Sequence, residues 1–194
     1  MKALMKYLFP LIFLFLILSC NNSEYNKEIK KVDASSQKII LNEELNISFQ
    51  LPKEWLEMPA SLSEKLVGRI TQKGEDEFII YTPKSFYYNE NSNSLFRIGS
   101  VKLKDNLLDK LSIENYITIF EKYNKSLIFE TSNLDNSNFP IKQIKIIRGN
   151  LVSYKFLFLN FNKEIIQFDF SITEENNVNL FPTIVASVHS IKLL

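Results

Sequence analysis

One cysteine and one histidine set the limits of side-chain chemistry in this 194-residue chain. Cys20 has no second cysteine with which to close an intrachain disulfide, so stability must come from a core. His189 stands alone, which rules out a histidine-rich zinc site. A Ser/His/Asp hydrolase would have to take its base from a C-terminal helix, and no G-x-S-x-G elbow precedes it. Gly68, Gly74, Gly99 and Gly149 are too scattered for a dinucleotide fingerprint or a phosphate-cradling loop. Carboxylates cluster as Glu43-Glu44, Glu75-Asp76-Glu77 and Glu174-Glu175, always beside turns, where solvated loops are the ordinary reading. The middle cluster could touch a cation, but the spaced ligands of an EF-hand are missing. Asp169, set between Phe168 and Phe170, is expected on the exposed face of a strand. No catalytic residue, metal site or cofactor is assigned, and an enzyme is not expected.

Cys20 has a different chemistry open to it. Lys2 and Lys6 make a positive start, Leu8 to Leu18 is an unbroken apolar run, and Asn21, Asn22 and Ser23 end it abruptly. The run is short of the roughly 20 residues that cross about 30 Å of hydrocarbon, and Pro10 would disturb a longer helix. The segment Leu16-Ile17-Leu18-Ser19-Cys20 resembles the lipobox of bacterial lipoproteins. That resemblance implies removal of residues 1–19 and lipid on the Cys20 sulfur. A plain secretory signal is the alternative, although an A-x-A-like cleavage site is absent. Each buried methylene of such a lipid contributes about 0.8 kcal/mol, so several acyl chains would anchor the protein durably. Asn21 is not the aspartate that in some bacteria resembles an inner-membrane retention signal, so the outer membrane is preferred, with the domain periplasmic or surface-exposed.

Without Lys2 and Lys6, 21 basic residues face 22 acidic ones, a formal charge of −1 that gives nucleic acid no attractive field. Residues 20–37 are polar and charged with no apolar period, a lipidated tether with a flexible span of roughly 20–25 Å. Residues 38–194 form one globular domain by length.

Within that domain, Lys38–Leu41 and Leu45–Leu51 read as strands around Asn42-Glu43-Glu44, the second with strict period-two alternation. Leu66–Thr71 and Glu77–Thr82 read as a hairpin, and Leu95–Leu103 as a further strand. Ser112 is a candidate N-cap for a helix at 113–125, whose Ile113, Tyr116, Ile117, Phe120 and Tyr123 form one stripe. Ile141–Ile147, Leu151–Phe161 and Glu164–Thr173 make an antiparallel meander. Leu151–Phe161 is apolar in both directions, so its sheet needs cover on both faces. A closing helix is expected at 181–190, with Pro182 near its first turn.

The strand Ile47-Ser48-Phe49-Gln50-Leu51-Pro52, followed by Lys53-Glu54-Trp55, resembles the opening of PsbP/Mog1-like domains. Val188-His189-Ser190-Ile191-Lys192 resembles their ending. The resemblance implies an α+β fold, an α/β/α sandwich of mostly antiparallel sheet with helices packed on its faces. It also implies assembly or interaction modules without a shared catalytic constellation. Trp55 reads as an aromatic plug closing the end of the sheet rather than a ligand-stacking platform.

Phe86, Tyr87 and Tyr88 interrupt what reads as a polar loop at 84–94, and either peg it to the core or contact a partner. Three functions remain open: a non-enzymatic envelope lipoprotein with a protein partner, a carrier or sensor of a small apolar ligand held between sheet and helix, and an enzyme using carboxylates.

Overall fold

The computed structural model describes residues 38–73, 79–103, 112–134 and 138–194, which fall within one compact unit. In chain order they form β1 (Ile39–Asn42), β2 (Ile47–Gln50), β3 (Leu56–Glu57), α1 (Ala60–Lys73), β4 (Ile79–Asn89) and β5 (Ser94–Leu103). Then follow α2 (Ile113–Tyr123), β6 (Ile128–Leu134), β7 (Ile141–Arg148), β8 (Leu151–Leu159), β9 (Ile165–Thr173), α3 (Glu174–His189) and β10 (Lys192–Leu193). A seven-stranded sheet runs β3-β4-β5-β9-β8-β7-β6, and a three-stranded one β1-β2-β10; every pairing is antiparallel.

Alternation along β5, β8 and β9 sends Phe96, Ile98, Phe156, Phe158, Phe168 and Phe170 to one face of the large sheet. Their rings pack edge-on and stacked, with Phe96 and Phe170 centroids 3.9 Å apart. Cover comes from α3, through Ile184 and Val188, and from the small sheet, whose Phe49 meets Tyr87, Phe96 and Phe168 edge-to-face. The cover of this face is thus one helix plus three strands, not helices alone. Pairing of β10 with β2 closes this second layer by joining Leu193 to Ile47.

The opposite face carries Val101, Ile144, Leu157 and Ile165 beneath Tyr116, Ile117 and Phe120 of α2. Ser112 caps α2 as expected, its Oγ accepting from Asn115 N–H at 3.0 Å. Leu157 on this face and Phe156 and Phe158 on the other are fully buried, so the middle strand of the meander is covered on both sides.

Four elements depart from expectation. Residues 66–71 belong to α1 rather than to a hairpin strand, because the half-buried Ser63, Leu66 and Val67 recur at helical spacing, which outweighs the β-branched composition. The stretch 84–89 is the end of β4, not a loop; the turn is confined to 90–93, where buried Asn89 accepts from Ser92 N–H at 3.1 Å and Asn93 takes φ 50°. Helix α3 starts at Glu174, so Pro182 lies inside it and withholds a donor from the preceding turn. Strand β6 was not expected, since an exposed edge strand needs no apolar alternation.

Candidate functional site

Register places Arg97 of β5 directly across from Asp169 of β9, and Lys155 of β8 across from the same Asp169 on its other side. All three share the face covered by α2, and one oxygen, Asp169 Oδ2, accepts from both cations, from Lys155 Nζ at 2.9 Å. Lys155 also lies 5.7 Å from the Phe120 ring of α2. The expected exposure of Asp169 is therefore wrong: it is 1% exposed. Tertiary pairing, invisible in one strand, decides its surroundings.

Burial alone would raise the Asp169 carboxyl, but the Lys155 and Arg97 charges more than offset it and hold the group below its usual range. Tyr81 of β4 is half-buried, yet its hydroxyl is wholly enclosed without a partner, and burial, reinforced by Asp169, pushes it well above the ordinary tyrosine value. Gly99 makes room for the Tyr81 ring, since a Cβ there would stand 2.8 Å from Tyr81 Cε2. Next along β9, Gln167 accepts from the Tyr116 hydroxyl of α2 at 2.8 Å. A carboxylate locked ionised between two cations has no proton to give and little basicity near neutrality. The triplet ties three central strands and α2 together.

The second polar site is a groove of about 520 Å³ along β1, with Glu57 of β3 and Ser85 and Tyr87 of β4 on its other side. Asn42 Nδ2 donates to Ser85 Oγ at 3.3 Å and Lys84 pairs with Glu44, closing one end. Lys38 O accepts from Leu51 N–H, so in this antiparallel pair the backbone groups of Lys38, Ile40 and Asn42 turn towards β2. Those of Ile39 and Leu41 therefore turn outward along an edge that pairs with no other strand among the described residues. Their side chains are 69% and 60% exposed. Burial, with Glu57 adding to it against a Ser85 hydrogen bond, pushes the Tyr87 hydroxyl up to about 12, leaving it a neutral donor at the groove floor.

The sequence-derived residues separate cleanly. Phe86 and Tyr87 are 3% and 2% exposed, Tyr88 is half-buried, and all three are on β4, so the first two peg a strand to the core, with Tyr87 reaching only the floor of the groove. Trp55 is buried against Phe96 and Phe170 at the sheet end. His189 is exposed in the last turn of α3. Glu174 and Glu175 occupy the first turn of α3, where they complement its dipole. Cys20 and Glu75-Asp76-Glu77 lie outside the described residues. Among the described residues no group of three His, Cys, Asp or Glu is placed to hold a metal, and no helix is long and apolar enough to cross a membrane. Arg97, Lys155 and the β1 edge were not anticipated. The available signal was a lone charge in each of β8 and β9, of opposite sign, and Arg97 set between Phe96 and Ile98 in β5.

No family model and no curated protein matches the chain. Among solved structures, PsbP (CyanoP) of Synechocystis sp. PCC 6803 is similar at a TM-score of 0.52 and 13% identity, over 84% of this chain and 96% of that one. The Ran-binding protein Mog1p of Saccharomyces cerevisiae gives a TM-score of 0.45 at 9% identity, over 81% of this chain and 95% of its own. The likeness to PsbP shows that the chain has that protein's α+β fold, with a mostly antiparallel sheet and helices packed on it.

Proposed function

We propose that this protein is a lipid-anchored lipoprotein of the bacterial envelope whose folded body works by binding another protein and not by catalysis. The observation that carries the reading is the edge of β1, unpaired among the described residues, where Ile39 and Leu41 stand exposed beside an acidic groove. An apolar edge of this kind is ordinarily covered or blunted. The ionic triplet supports the same reading, because its one carboxylate is held charged and occupied. The lipobox-like segment ending at Cys20 supplies the anchor, and the polar stretch after it leads to Lys38, the first described residue. A carrier for a small apolar ligand finds less support, since the rings between sheet and α3 are in mutual contact, Tyr154 against Phe181 at 4.6 Å.

Two measurements test this. Growth with an alkyne-bearing fatty acid is expected to label the native chain and to leave Cys20→Ser unlabelled; a native N-terminus without acyl mass at Cys20 removes the anchor. Cross-linking of the native protein in cells, read by mass spectrometry, is expected to return one dominant protein partner, and a chain that returns none removes the binding role.

A further inference from the structure

We propose that the free edge of β1 is a strand-addition site for an extended, basic segment of a partner protein; this rests on the binding role above. Ile39 and Leu41 direct their backbone N–H and C=O groups away from β2, which is the hydrogen-bonding row that an added strand requires. Edge strands are usually protected by charges, proline, a bulge or brevity. Here β1 is short, but Ile-Ile-Leu-Asn carries no charge and no proline, with a lysine only at its entrance.

The groove also selects the side chains of its occupant. Residues of an added strand lying opposite Ile39 and Leu41 point to the same outer face and gain from being apolar. Those between them point down towards Tyr87 and Glu57, whose own cross-strand pairing puts both on the groove side. Glu43 and Glu57 have no ion-pair partner among the described residues, while Glu44 is taken by Lys84. A lysine or arginine at each alternate position meets that charge. A second copy of this chain is disfavoured as occupant because edge-to-edge pairing would bring the two sets of carboxylates together.

The test follows amide exchange of the full-length lipidated chain in detergent, titrated with a blocked seven-residue peptide of alternating valine and lysine. Exchange at Ile39 and Leu41 is expected to slow by about tenfold or more, with Ile40 little changed because it is already paired. The valine-glutamate counterpart is expected to have no effect, and Glu43→Lys with Glu57→Lys to abolish protection by the basic peptide. No slowing, equal slowing by both peptides, or slowing that grows with protein concentration alone overturns the proposal. In cells, a photo-cross-linking residue in place of Leu41 is expected to capture one protein through an extended segment with basic alternate positions. Capture of a single partner from Val178, 75% exposed on α3, with none from Leu41, overturns the edge site and leaves the binding role standing. Capture from neither overturns both.

Discussion

The two faces of strands β5, β9 and β8 carry the same cross-strand geometry with opposite chemistry. Under α3 and the small sheet, facing positions are filled by Phe96, Phe170 and Tyr154; under α2, the next positions along the same strands are Arg97, Asp169 and Lys155. The aromatic face gains its stability from area removed from water and from ring geometry, and it tolerates small adjustments among neighbours. The ionic face has no such latitude. Two cations share one carboxylate oxygen while Asp169 Oδ1, Arg97 Nε and the Tyr81 hydroxyl stay buried without partners, so the triplet costs desolvation and returns specificity of register. One face supplies energy and the other fixes alignment.

Changing each face in turn sharpens this contrast. Phe96→Ala is expected to have the largest effect, a loss of about 4 kcal/mol by denaturant unfolding, because a fully buried ring touching Trp55, Phe49, Tyr87, Phe168 and Phe170 leaves a cavity. Asp169→Asn is expected to cost about 3 kcal/mol by leaving two cations uncompensated, whereas replacing all three with Met, Met and Leu should recover most of it. If the triple variant is as unstable as the single one, the ionic face is an energy source after all. The pH dependence carries the same message. Asp169 titrates lower in the folded chain than in the unfolded one, so its contribution is complete above the ordinary carboxylate range near about pH 4 and fades as pH falls through its depressed folded value. Thermal unfolding between about pH 2 and 5 should accordingly be flatter in Asp169→Asn than in the native chain.

Gly99→Ala comes next, at about 2 kcal/mol, since its Cβ would stand 2.3 Å from the Thr82 carbonyl oxygen and displace Tyr81 from the triplet. The smallest effect belongs to Ser112→Ala, about 1 kcal/mol from loss of the α2 cap, readable as a lower unfolding midpoint with unchanged denaturant slope.

Most of the aromatic face was legible in the sequence, and the ionic face was not. Period-two alternation in Ile166, Phe168, Phe170 and Ile172 locates a buried face from within one strand, and the short turns 149–150 and 160–164 announce the meander. Asp169 by contrast reads as a solvent-facing charge until β5 and β8 are laid beside it, because neutralisation is a property of three strands in register. Residues 66–71 failed for a different reason: valine and isoleucine favour strands locally, while the packing of α1 over β4 follows a period that a six-residue window does not reveal. The asparagine-rich start of α3 hides its first two turns in the same way, with Asn176, Asn177 and Asn179 all weak helix formers. The β1 edge escaped notice because exposure of alternate apolar residues is visible only once the strand's inner and outer sides are known.

Leu193 meets Ile47 across nearly the whole of residues 38–194. During synthesis, everything up to β9 can be present and the second layer still lacks its closing strand, so the polypeptide cannot reach its final form until residue 193 has cleared the ribosome. Completion of the small sheet is thereby reserved for the last residues to be made.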